Sequence, residues 1–133
     1  ISELEKNNIK VLFNNNICLE KFCIAGVDDP QTGTADVEKA LAGIRKPVIL
    51  LTHTPDIMPK IPEIVNLTLA GHLHGGQIRL NGAIIVPSAY GKKYANGFLL
   101  DHNRKIYTTK GLGTSILPIR FNCPPEIVVI EFE

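Results

Sequence analysis

Apolar residues along the chain fall into short runs of strand length, separated by turn-forming clusters. Ile9 to Phe13 is a β-rich run closed by Asn14-Asn15-Asn16, three consecutive turn formers. Ile17–Leu19 and Phe22–Val27 read as an antiparallel pair around Glu20-Lys21. After the Asp28–Gly33 loop, Val37, Ala40, Leu41 and Ile44 recur at helical spacing. This spacing predicts a helix from about Ala35 to Ile44, with Thr34 as N-cap and Gly43 and Pro47 as terminators. Two unbroken runs follow, Val48–His53 and Leu67–Ala70. Continuous apolarity predicts strands buried on both faces, as inside a layered α/β domain. From Gly75 onward the pattern reads as all β, with strands near Gln77–Leu80, Ala83–Pro87, Gly97–Asp101, Lys105–Lys110 and Ile127–Phe132. Asn103 marks a hairpin turn, and Ile1–Lys6 reads as the tail of a helix.

Length and charge narrow the field. The 133 residues suffice for one domain or part of one. Fourteen basic residues against thirteen acidic ones leave a net charge of +1, so no broad attraction for nucleic acid or anionic membranes is expected. The absence of Trp argues against a base-stacking platform. No apolar run approaches the roughly 18–20 residues of a bilayer-spanning helix, and no signal-peptide pattern is present. Cys18, Cys23 and Cys123 are odd in number and fit no metal-binding spacing; they are expected to be buried, reduced thiols of a cytosol-like compartment.

Three of the four histidines share one placement, at or just past the end of a buried strand. His53 closes Val48–His53, while His72 and His74 follow Leu67–Ala70 within Gly71-His72-Leu73-His74-Gly75-Gly76. Ligand sites of open α/β sheets gather at the carboxyl ends of strands. In an extended segment, residues two apart face the same way, so His72 and His74 are expected to address one site. Neutral imidazole is a common ligand for divalent metals. The flanking glycines allow sharp turns and close approach of a ligand. His102 occupies the expected hairpin tip and is assigned to solvent. Lys92 and Lys93 suit either a solvated loop or a contact to substrate phosphate, and Arg120 either an ion pair within the β-rich part or a substrate contact.

These motifs together carry a resemblance. Leu51-Thr52-His53-Thr54-Pro55, followed nineteen residues after His53 by Gly71-His72-Leu73-His74, resembles the last two metal-binding motifs of the calcineurin-like metallophosphoesterases. Gly26–Pro30, Gly75–Arg79, Ser88–Gly91, Lys110–Ser115 and Pro118–Glu126 are similar to the bacterial branch described as phosphohydrolases or phosphodiesterases. The resemblance implies an α/β fold, namely the C-terminal half of a four-layer α/β/β/α sandwich with mostly strands and one or two helices. Residues 1–133 would then be one portion of a single domain whose N-terminal half lies elsewhere.

It also implies two divalent metal ions, with Mn, Fe, Zn and Ni not distinguished. His53 and His72 would hold one ion and His74 the other. The pair of ions would activate a water-derived hydroxide for attack on a phosphate-ester substrate. The family's earlier motifs, Asp-x-His, Gly-Asp and Gly-Asn-His, do not occur in these residues, so no catalytic residue is assigned and the chain alone is expected to be inactive. A stand-alone, non-catalytic module in which the three histidines bind one metal is the alternative, and an inert β-rich interaction domain is a third reading. A bacterial cytoplasmic or membrane-peripheral location is expected, together with self-association through an exposed sheet edge.

Overall fold

The computed structural model describes residues 2–131. A short helix, α1 (Ser2–Lys6), opens it. Strands β1 (Asn15–Cys18) and β2 (Cys23–Gly26) pair antiparallel, then come helix α2 (Val37–Leu41), β3 (Val48–Thr52), β4 (Val65–Ala70), β5 (Gly97–Asp101) and β6 (Arg104–Thr108). All six strands form one sheet in the order β1-β2-β3-β4-β6-β5. The inner strands β2, β3, β4 and β6 run parallel, and antiparallel β1 and β5 close the two edges. The chain is thus an α/β structure built on a six-stranded mixed sheet with few helices.

The apolar runs account for the centre of this sheet. In β3, Val48 and Leu50 are fully buried and Ile49 nearly so, matching the expected inner strand. Cross-strand register puts Cys23, Ala25, Val48, Leu50, Thr68 and Ile106 on one face. Ala40 from α2, Ile57 and Met58 from a 3-10 turn (Pro55–Lys60), Ile61 just after it, and Tyr94 pack against that face and complete the core. Full burial of a side chain such as Leu50 contributes about 1.5–3 kcal/mol. On the opposite face the register aligns Leu51, Leu69, Tyr107 and Phe98. There Leu51 and Phe98 remain 39% and 61% exposed.

Several expected elements take another form. The helix is shorter, because Asn14 intervenes: its Nδ2 donates to Thr34 O, and its Oδ1 accepts from the N–H groups of Asp28 and Asp36. These bonds hold residues 34–36 out of helical conformation, so Asp36 rather than Thr34 caps α2, accepting from Lys39 N–H. Ile9–Phe13 forms no strand, and Asn15-Asn16 belong to β1 instead of a turn. Gln77–Leu80 and Ala83–Pro87 contribute only isolated bridges, Ile78 to Phe121 and Leu80 to Ala83, because no continuous backbone partner lies beside them. The stretch after Gly75 is therefore not all β. It holds 3-10 turns at His74–Gly76 and Gly91–Tyr94 before the β5–β6 hairpin. Residues 127–131 are not a strand either, although Val128 and Ile130 line a small cavity together with Leu69 and Tyr107. Phe132, in that expected strand, and Ile1, in the expected helix tail, lie outside the described residues.

The cysteines need a correction. Cys18 and Cys23 form a disulfide, so they are not reduced thiols, and Cys18 is exposed; Cys123 alone is free and buried. The two flank the tight β1–β2 turn as directly opposed residues, just inside the Leu19 N–H to Phe22 carbonyl bond. At such a non-hydrogen-bonded position the side chains come closest. The bond removes the basis for reading a reducing compartment from these two residues. Among the described residues, no helix is long and apolar enough to cross a membrane.

Candidate metal centre

Parallel strands deliver their ends to one rim. His53 directly follows β3, and Gly71-His72 directly follow β4, the neighbouring strand. Gly71 N–H donates to His53 O at 3.0 Å, extending the strand pairing to the base of both side chains. The rings then meet: His72 Nδ1 lies 2.9 Å from His53 Nε2, with ring centroids 4.7 Å apart and planes inclined by 62°. His72 Nε2 is buried and has no hydrogen-bond partner among the described residues. Burial first, and the His53 ring second, push the His72 pKa below the ordinary imidazole value. The ring is thereby kept in the neutral form that binds metals.

His74 reaches the same cavity by a different backbone from the expected one. His72 and His74 have φ of +70° and +49°, and Gly75, Gly76 and Gln77 are also in the left-handed region. With Leu73 between them at φ −79°, the segment is a tight turn of mixed handedness, so strand alternation does not set the direction of these rings. Gly75 is required at its position, because a Cβ there would stand 3.0 Å from Cys123 Sγ and 2.5 Å from Lys110 Cγ. His53, His72 and His74 all line a cavity of about 460 Å³. Among the described residues, no three His, Cys, Asp or Glu side chains gather closely enough to hold one metal ion. The structure pairs the rings of His53 and His72, and His74 lines the same cavity.

A carboxylate shares this rim. Asp29, in the loop after β2, lies within electrostatic reach of His53 and His72. Bonds from Thr32 Oγ1–H and Gln31 N–H, stronger than the opposing effect of burial, hold its pKa below the usual carboxylate range.

The turn carrying His74 is tied down by residues whose role the sequence does not announce. Arg120 forms no ion pair among the described residues, contrary to one reading of its string. Its guanidinium donates instead to the carbonyls of His74, Lys110, Gly111, Gly113 and Cys123. Cys123 Sγ–H donates to His74 O at 3.3 Å, and Arg79 Nε–H to Gly75 O at 2.7 Å. Nearby, Glu126 accepts from Lys110 N–H and pairs with the Lys110 ammonium at 2.9 Å. Burial alone would raise the Glu126 pKa; these Lys110 contacts outweigh it and hold the carboxyl low. Of the lysines considered for phosphate contact, Lys93 is committed to Asp101 at 3.0 Å. His102 is exposed at the β5–β6 turn, with Nδ1 2.9 Å from Asp101 Oδ1.

The donor set suits a divalent cation. Two imidazole nitrogens each about 2.0–2.1 Å from one ion stand about 2.9 Å apart at a right angle and about 3.3 Å apart at the tetrahedral angle, and the observed separation is 2.9 Å.

Comparison with known proteins gives this geometry a context. The chain is 44% identical to the uncharacterized metallophosphoesterase YkuE of Bacillus subtilis (strain 168), over 85% of its own residues and 41% of the relative. It is 34% identical to the phosphodiesterase YaeI of Escherichia coli (strain K12), over 96% of its residues and 49% of the relative. An uncharacterized metallophosphoesterase of Aquifex aeolicus (strain VF5) is 32% identical over 98% of the chain and 53% of the relative. No family model and no solved structure matches the chain. The chain spans about half the length of the curated relatives it matches. On these likenesses, carried across most of its residues, the chain belongs to the calcineurin-like metallophosphoesterase family.

Proposed function

We propose that this chain contributes the imidazole side of a dinuclear metal centre that hydrolyses phosphate esters. His53 and His72 hold one divalent cation and His74 a second. The contact between the His53 and His72 rings at the ends of adjacent parallel strands carries the reading. A relative over nearly the whole chain bears the name phosphodiesterase, which supports the reaction class.

Bound cations would supply Lewis-acid polarisation of the phosphoryl group and lower the pKa of a water. The chain's own residues supply position. Burial keeps His72 neutral, the Gly71 N–H to His53 carbonyl bond fixes the two strand ends together, and Arg120 with Cys123 holds the His74 carbonyl. Three imidazoles carry no negative charge and Asp29, bonded to Gln31 and Thr32, is a single carboxylate, so two closely spaced divalent ions need further carboxylates from beyond these residues. We therefore place residues 1–133 as one portion of a single metallophosphoesterase domain, inactive when isolated.

The test is metal-dependent hydrolysis of bis(p-nitrophenyl) phosphate by the whole protein carrying this chain. Activity that appears with Mn²⁺, Zn²⁺, Fe²⁺ or Ni²⁺ and disappears in His53→Ala and His72→Ala supports the reading. Undiminished turnover in both variants overturns it.

A further inference from the structure

The cavity beside the histidines is lined by two unlike kinds of residue. Besides the imidazoles, its lining includes Ile78, Ile85, Ile116 and Leu117 with Gln77, Thr114 and Ser115, and no Lys, Arg, Asp or Glu is among the described lining residues. Within the described residues Ile85, Ile116 and Leu117 are 81%, 100% and 51% exposed. Exposed apolar surface beside a concave polar site is the usual composition of a small-molecule pocket.

The wall is also built rather than incidental. Ile116 has φ of +65°, a conformation that a β-branched residue adopts only under constraint. The constraint is Gln77, three residues beyond His74. Its Nε2 donates to Ser115 O at 3.1 Å and Leu117 O at 2.8 Å, and its Oε1 accepts from Ser115 N–H at 2.6 Å. One amide thus clamps the residues on both sides of Ile116 and leaves the aliphatic side chain outward. The clamp starts from the same turn that carries His72 and His74, so wall and imidazoles hold a fixed relation.

We propose that the wall formed by Ile85, Ile116 and Leu117 is the subsite for a hydrocarbon group, so that the substrate is an amphiphilic phosphate ester of an aliphatic, lipid-like alcohol. This rests on the phosphoester reading above. The phosphate sits at the imidazole end, and the alkyl group runs along the wall. A sugar or nucleoside group laid on Ile85, Ile116 and Leu117 would find no hydrogen bond from those three side chains; within the lining, only Thr114 and Ser115 hydroxyls and the Gln77 amide stand beside them.

The experiment is calorimetric titration of the whole Mn²⁺-loaded protein with methyl-, butyl- and octylphosphonate. Affinity is expected to rise roughly threefold for each methylene buried. Ile85→Ser/Ile116→Ser should lower octylphosphonate affinity more than tenfold. Leu100→Ser, which alters an exposed apolar residue on the edge strand β5, should leave it unchanged. Ile116 is fully exposed, and an unaltered melting temperature will show that the double variant folds. A flat series with methylphosphonate still bound overturns the subsite and leaves the phosphoester reading standing; it would mean that protein covers the wall. A steep series that survives the double variant overturns the placement. Failure of all three phosphonates to bind overturns the phosphoester reading and this inference with it.

Discussion

His72 Nδ1 and His53 Nε2 face each other at 2.9 Å across the ends of two adjacent parallel strands. Two nitrogens at that distance either share one proton or share one cation. Zinc at about 100 times its dissociation constant should stabilise the folded chain by about 2.7 kcal/mol. His53→Ala and His72→Ala are expected to lose that increment, and His102→Ala, at the exposed hairpin tip, to keep it. Thermal melts with and without zinc check this. Equal metal-dependent shifts in all four proteins would refute the pairing.

Arg120 offers the second test. Its guanidinium serves five carbonyls from three stretches of chain, and a Lys ammonium has too few donors to replace it. Arg120→Ala should cost more than about 2 kcal/mol, since several partly buried acceptors lose their donor. Arg120→Lys should recover only part of the loss. Urea denaturation at unchanged m-value measures both, and a loss below about 0.5 kcal/mol would show that the carbonyls find other donors.

Acid stability follows from Asp101. The Tyr94 hydroxyl, which donates at 2.5 Å, is the chief cause holding this carboxyl far below the usual range, with Lys93 next. The folded pKa lies below the unfolded one, so the folded state binds fewer protons in acid. The contribution is complete above the ordinary carboxylate range and is lost as pH falls toward the folded value. Tyr94→Phe should raise the Asp101 pKa and cost about 1 kcal/mol at neutral pH. Carboxyl carbon shifts followed by NMR down to acid pH report the change; an unmoved Asp101 titration would contradict it.

The disulfide predicts a thiol count. Without reductant, thiol titration of the denatured chain should find one group, Cys123, and the native chain should react slowly because that thiol is buried. Closing the short Cys18–Cys23 loop stabilises by about 2 kcal/mol in the chain-entropy model, so reduction should lower the melting temperature. Three reactive thiols in the unreduced, denatured chain would rule the bond out.

The apolar face bearing Leu51, Phe98 and the edge residue Leu100 predicts association of the isolated chain. Light scattering at high concentration should give a mass above 14.6 kDa. A monodisperse particle of 14.6 kDa would show that this face tolerates water.

What could be read from the sequence was the part fixed by side-chain type. Val48–Leu50 announce a buried strand because nothing polar interrupts them, and the two His-bearing ends follow once the strands are parallel neighbours. The β5–β6 hairpin was equally plain from Asn103. What stayed hidden depends on backbone groups, which look alike in every residue. Arg120 binds carbonyls, so no acidic residue in its neighbourhood betrays its partners. Asn14 reshapes the start of α2 through residues 34–36, far away in the sequence. The positive φ of His72 and His74 is not announced by residue type: five of the ten non-glycine residues with positive φ among the described residues are Asn, whereas this turn uses two His and a Gln. The Cys18–Cys23 pairing is legible in the sequence, since both cysteines flank the Glu20-Lys21 turn as directly opposed residues.

The shared rim of β3 and β4 has a mechanical consequence. Their alignment shifts once, between Val48 and Ile49, so the register that brings the two rings together is the one set after that irregularity. A cation gripped by both rings would act as a rivet at the far end, where sliding by one residue would carry His53 and His72 out of each other's reach. Ion capture would then select one alignment of neighbouring strands, and the site would guard the sheet that creates it.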